Sequence, residues 1–164
     1  MSKYTNDYNE LENKARKIAI DSHSNQYDKT GSPYINHPLK VSEMMDSPET
    51  KIVALLHDVI EDTNISYDYL YLSGFPDEII NSISLLTKTN DTDIDEYFEK
   101  IKGDPVARAV KIGDLTHNMD ESRWEEPGVE WRNFNEEERK KRINWFKKKR
   151  KEYESWRDYL MSAD

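Results

Sequence analysis

The stretch from Ser47 to Ile60 restricts the possible folds more than any other part of the chain. Ser47-Pro48-Glu49 is a helix start: a capping hydroxyl, a proline where its missing N–H does no harm, and an acid in the first turn. Ile52, Val53, Leu55, Leu56, Val59 and Ile60 then cover nearly every side of the helix that follows. A helix apolar all round must be buried, so other helices have to wall it in. Those walls can be read as well. Leu11, Ala15, Ile18 and Ala19 form one stripe ending near His23, and a short helix begins around Pro38. Ser66 caps another through Leu70 and Leu72, while Pro76-Asp77-Glu78, Asp93 and Asp104-Pro105 open three more. Asn135, followed by Glu136, Glu137 and Glu138, opens a last long helix. No segment alternates as a strand would. The expectation is an all-α, single compact domain over residues 1–164, with a core of about 8–123 and a C-terminal helix, 135–160, packed on it.

With 164 residues the chain can bury one real core, although only 35% of it is hydrophobic. Ten Tyr and four Trp offset part of that deficit, because each ring buries a large area. There is no cysteine, which excludes disulfides and thiolate metal sites. Any transition metal must therefore be held by histidine and carboxylates. A formal charge of −9 argues against a DNA partner, since a duplex would repel such a surface. The N-terminus has no apolar signal core and no apolar run approaches membrane-spanning length, so the expectation is a cytoplasmic protein without a membrane partner. The sequence says nothing of oligomeric state.

Only four histidines are present, and their neighbours are informative. His57 and Asp58 are adjacent inside the most apolar helix, where a charged aspartate is costly unless paired or bound to metal. Glu61 lies three positions after Asp58 and four after His57, so all three can project toward one side, and Asp62 follows. His-Asp-x-x-Glu-Asp thus combines a nitrogen ligand, an oxygen ligand and a candidate general base within two turns. Asp114, His117 and Asn118 repeat the helical spacing after the run Ala109-Val110-Lys111-Ile112, which directs Asp114 into protein. His37 stands before Pro38, whose ring restricts the backbone and can aim the imidazole. Two imidazoles and two carboxylates from three segments suit one borderline divalent ion such as Mn²⁺, Fe²⁺ or Zn²⁺.

The order His37, His57-Asp58, Asp114 resembles the H…HD…D signature of the HD superfamily of phosphohydrolases. More narrowly, three blocks resemble the hydrolase domain of RelA/SpoT proteins and its short standalone relatives. They are Gly31-Ser32-Pro33-Tyr34-Ile35-Asn36-His37-Pro38, Leu55-Leu56-His57-Asp58-Val59-Ile60-Glu61-Asp62-Thr63 and Lys111-Ile112-Gly113-Asp114-Leu115-Thr116-His117-Asn118-Met119. The resemblance implies a helical HD-type domain and a Mn²⁺-dependent removal of the 3′-pyrophosphate of (p)ppGpp. It implies His37, His57, Asp58 and Asp114 as metal ligands, Glu61 and Asp62 as the pair that orients and activates water, and Asn118 near the phosphates and sugar. Lys29 and Thr30 are further candidates for substrate contact. A silent nucleotide-binding sensor, or a hydrolase of another nucleotide such as NADPH, is the alternative.

Departures fall on the substrate side. Asp28 stands where the family's loop carries arginine, and Leu115 and Asp120 stand where arginines are frequent. A multiply phosphorylated substrate would miss those cations; Lys29 is retained, and Lys111 is a further cation that could help. His23 and Gln26 are expected to hold the substrate loop, and His117 is equally compatible with a pocket-facing and an ordinary half-buried position. Tyr34 is expected to pack, as are Trp124, Trp131 and Trp145 at the core edge, with Trp124 nearest the pocket mouth. Asp91-Thr92-Asp93-Ile94-Asp95 has calcium-loop spacing, but Glu96 replaces the turn glycine and Lys102 the closing acid, leaving a capped helix start. The basic run Arg139–Lys151 is interleaved with Ile143 and Phe146 at helical spacing and reads as the solvated face of the last helix.

Overall fold

A computed structural model describes residues 3–162 and is built of helices. In chain order they are α1 (Lys3–Ser22), α2 (Asn36–Glu43), α3 (Pro48–Leu56), α4 (Val59–Asp62), α5 (Tyr67–Leu72), α6 (Asp77–Leu86), α7 (Ile94–Lys102), α8 (Pro105–Asn118), α9 (Ser122–Glu125) and α10 (Glu136–Met161), with a 3₁₀ turn at Val129–Asn133 between the last two. No strand forms among the described residues, where Tyr27 and Pro33 make an isolated bridge. None of their helices is long and apolar enough to cross a membrane.

α3 is the centre. Ile52, Val53, Ala54, Leu55 and Leu56 are wholly buried, and α1, α2, α6 and α8 all pack against it. Each large aliphatic side chain removed from water in this way contributes about 1.5–3 kcal/mol. The expected start is present: Ser47 Oγ accepts from the Thr50 N–H, and Thr50 returns a bond to the Ser47 N–H. Ser66, Asp93, Asp104 and Asn135 cap α5, α7, α8 and α10 as the sequence indicated. α8 is the second hub, touching α2, α3, α6, α7 and α10. α10 lays Phe146, Tyr153, Trp156 and Leu160 inward; on its outer side Lys140 and Lys141 pair with Glu136 and Glu137 one turn earlier.

Two expectations about local structure need correction. His57 and Asp58 are not inside a continuous helix, because α3 stops at Leu56 and α4 starts at Val59. The His57 ring contacts the Ala54 carbonyl through Nδ1 at 2.6 Å, and a side chain inserted into the helical ladder breaks it. α2 also begins earlier than Pro38, at Asn36, which puts His37 in its first turn.

Close backbone approaches position the site. Gly113 on α8 faces α2 so closely that a Cβ there would lie 2.8 Å from Met45 Cε and 3.2 Å from Val41 Cγ1. Gly31, at φ +76°, lies against the 3₁₀ turn, where a Cβ would be 2.4 Å from the Trp131 nitrogen. Gly128 donates to the Thr30 carbonyl and Glu130 to that of Gly31, so the loop before α2 is stitched to the segment leading into α10.

Candidate metal centre and adjoining pocket

Three separated segments converge beneath the α3–α4 break. His37, His57 and Asp58 each offer a ligand atom, all within 4.8 Å of one another. Asp114, from the last turns of α8, joins them: its Oδ1 lies 2.9 Å from His37 Nε2 and 3.7 Å from His57 Nε2. The two histidines and Asp114 are buried.

His57 shows what the cluster requires. With Nδ1 on the Ala54 carbonyl, its neutral ring carries a lone pair on Nε2. That buried nitrogen sits 3.0 Å from Asp58 Oδ2, yet the angle admits no hydrogen bond, to it or to any other group. This nitrogen and the carboxylate oxygens of Asp58 and Asp114 thus lie within 3.7 Å with no hydrogen bond between them. The carboxylates demand positive charge there, and a proton on His57 or a divalent cation each supply it. Burial alone would lower the His57 pKa, but Asp58 and Asp114 hold it well above the usual histidine range. Burial would raise both carboxyls; His57 beside Asp58, and Lys111 beside Asp114, hold them well below theirs. An orphaned nitrogen, a second imidazole and two ionised carboxylates make a donor set that fits a borderline divalent ion.

Neighbours fix each member of the set. His37 Nδ1 meets His117 Nδ1 at 2.7 Å, leaving His37 Nε2 for the centre. Tyr34, expected only to pack, donates its hydroxyl to Asp58 Oδ2 at 2.6 Å, and burial followed by the Asp58 charge raises its pKa so that it stays protonated. Asp114 accepts from Lys111 Nζ at 2.7 Å and from Asn118 Nδ2 at 2.9 Å. Lys111 is buried against Asp114, so its charge is directed to that carboxylate and it does not line the adjoining pocket. His23 Nδ1 meets Gln26 Oε1 at 2.9 Å, and Gln26 donates to the Asp62 carbonyl, which ties the loop before α2 to the acidic turn.

The two acids of that turn are placed differently. Glu61 accepts the Lys88 N–H at 2.6 Å, fastening α4 to the loop after α6. Asp62 Oδ2 lies 3.5 Å from the Tyr34 hydroxyl, and burial, then the charges of Asp58 and Glu61, push its carboxyl up to about 6.

A cavity of about 260 Å³ opens beside His37 and Tyr34. Lys29, Thr30 and Asn118, the residues named from the sequence as candidates for substrate contact, line it. Arg123, Trp124 and Trp145 line it too. Trp145 thus faces the pocket, contrary to its expected place at the core edge. Asp28 does not leave an unpaired negative charge here, because Arg123 Nη2 meets its Oδ2 at 2.7 Å. Nothing in the spacing of the sequence signalled that pair across 95 residues.

The chain has counterparts among known proteins. No protein-family model matches it. Over 121 residues it is 33% identical to the guanosine-3′,5′-bis(diphosphate) 3′-pyrophosphohydrolase of Borreliella burgdorferi, covering 65% of this chain and 18% of that protein. Over 116 residues it is 38% identical to the bifunctional (p)ppGpp synthase/hydrolase SpoT of Escherichia coli K12, covering 62% and 16%. A solved structure of a metazoan orthologue of SpoT that hydrolyses ppGpp superposes with a TM-score of 0.64 over 94% of this chain and 87% of that one, at 22% identity. The chain carries an HD-type, RelA/SpoT hydrolase-like domain. It spans less than a fifth of the length of those two curated relatives, at 18% and 16%. The HD-type domain is all-α with a long C-terminal helix, as its sequence indicated.

Proposed function

We propose that the chain is a metal-dependent phosphohydrolase that removes the 3′-pyrophosphate of (p)ppGpp or a closely related nucleotide. In this reading His37, His57, Asp58 and Asp114 hold one divalent ion, with Mn²⁺ the first choice. The observation that carries it is the buried His57 Nε2, which faces two carboxylates and bonds to nothing. When bound, such an ion lowers the pKa of a water and offsets charge on phosphoryl oxygens.

The protein's own groups do the remaining work. His117 keeps His37 Nε2 directed at the centre, while Lys111 and Asn118 hold Asp114. Tyr34 fixes the oxygen of Asp58 that it meets. Asp62, pushed up to about 6, is poised to take a proton from the attacking water near neutral pH. Glu61 raises its proton affinity by charge and anchors the turn through Lys88. Lys29, Thr30 and Asn118, together with Arg123, border the cavity in which the nucleotide would lie.

The test is pyrophosphate release from ppGpp in Mn²⁺, with NADPH and simple nucleoside diphosphates as comparison substrates. Turnover of ppGpp is expected, and the double variant Glu61→Ala/Asp62→Ala should bind metal and lose turnover. Undiminished turnover in that variant would remove the assigned base. Tight ppGpp binding without hydrolysis by the unaltered protein would replace the enzyme with a nucleotide sensor.

A further inference from the structure

Resting on the nucleotide reading above, we propose that the substrate's base stacks on Trp145 of α10, and that Lys29 occupies that ring face until the base displaces it.

The argument begins with charge. Asp28 and Arg123 meet at 2.7 Å, and Asp28 Oδ1 also accepts from the backbone N–H groups of Thr30 and Ser32 and from the Thr30 hydroxyl. The other arm of Arg123 reaches the His117 carbonyl at 3.1 Å and Asn118 Oδ1 at 3.4 Å. The two charges in the pocket lining thus satisfy each other, so recognition at this end passes to the rings. Tyr34 is engaged by Asp58. Trp124 lies against Phe146 with centroids 4.8 Å apart and planes at 27°, and meets Trp131 edge-on. Trp145 is half-buried, lines the cavity and stacks on no other ring among the described residues. Over its face sits the Lys29 ammonium, 4.5 Å from the centroid.

An exposed ammonium over a ring is bound more weakly than a stacked base. A purine entering the cavity therefore takes the ring and releases the lysine. Arg142 Nη1 donates to the Lys29 carbonyl at 3.2 Å, so the backbone stays in place while the side chain swings. The freed ammonium remains at the cavity, where it can meet a phosphate of the same ligand. Base and phosphate recognition are thus coupled: pyrophosphate alone leaves Lys29 on the ring, and a bare nucleoside takes the ring without giving the lysine a partner.

Titrating the full chain with GDP, guanosine and pyrophosphate while following tryptophan fluorescence tests this. GDP and guanosine should quench the emission and pyrophosphate should not. Trp145→Leu should abolish the quench and weaken GDP binding by about tenfold, with pyrophosphate binding unchanged as the control for folding. Trp145→Phe, which keeps a ring, should restore GDP affinity. In Lys29→Met the advantage of GDP over guanosine should shrink. Unaltered GDP affinity in Trp145→Leu, or an equal quench by pyrophosphate, would overturn the proposal. Because these are binding measurements, a protein that stacks GDP on Trp145 but never hydrolyses ppGpp would refute the enzymatic reading and leave this one standing.

Discussion

The Nδ1 atoms of His37 and His117 lie 2.7 Å apart. Two ring nitrogens at that distance must share one proton, one donating and the other accepting. Burial, then the charges of Arg123 and His37, push His117 down to about 4, so it is neutral at pH 7 and can accept. His37 can then donate through Nδ1, which turns its Nε2 toward Asp114 Oδ1, 2.9 Å away. His117→Ala should lower Mn²⁺ affinity by about 10–100-fold, as is usual when a ligand's supporting partner is removed. Calorimetric titration with Mn²⁺ checks this; unchanged affinity would mean that His37 needs no such partner.

Lys111 and Asp114 form a buried pair at 2.7 Å. Lys111→Met leaves the carboxylate without its main counter-charge, and removing one member of a buried pair costs about 3–5 kcal/mol. Urea unfolding in the presence of chelator should show a loss of that order, partly restored when Mn²⁺ is added. A loss below about 1 kcal/mol would show that His37 and Asn118 suffice to hold the carboxylate.

Asp62 gives a pH signature. Its folded pKa of about 6 lies above the ordinary 3.8, so the folded protein binds a proton that the unfolded chain has released between those values. The contribution of this group to stability is present below the lower value and is lost as pH rises through the upper one. Chelator-treated protein should accordingly lose stability relative to Asp62→Asn between about pH 4 and pH 6, opposite in sign to the acid loss from Asp58 and Asp114. Thermal melts at stepped pH read the difference, and parallel curves for the two proteins would exclude an elevated Asp62.

Gly113→Ala tests the approach of α8 to α2. The added methyl would meet Met45 Cε at 2.8 Å and Val41 Cγ1 at 3.2 Å, so α2 must shift or Met45 must move aside. Since His37 rides on α2 and Asp114 on α8, a shift separates the two. Overpacking of this kind costs about 1–3 kcal/mol, and Mn²⁺ affinity should fall with the melting temperature. A drop in melting temperature with full metal affinity would show that Met45 absorbs the change.

The helices were readable because their starts are written in side chains that act locally. Ser47, Ser66, Asp93, Asp104 and Asn135 each accept the backbone N–H three residues on, a contact set by sequence distance alone. The convergence of His37, His57, Asp58 and Asp114 was readable for another reason: charged and imidazole groups amid apolar runs need a shared cause. The break between α3 and α4 was not, because apolar residues continue through it and the deciding contact is the His57 ring with the Ala54 carbonyl. Tyr34 was misread as packing, although it stands one helical turn before His37 in the same block. Arg123 and Trp145 were hidden more deeply, since the partners that give them meaning, Asp28 and Lys29, lie 95 and 116 residues away.

The stitching of Thr30 and Gly31 to Gly128 and Glu130 has a consequence for biosynthesis. The segment carrying Asp28, Lys29 and Thr30 is synthesised roughly a hundred residues before the strip that braces it. A nascent chain that has completed α8 already possesses every proposed metal ligand, yet it has no wall for a nucleotide. On the proposed reading the ion site is therefore complete before the nucleotide wall, which waits for α10.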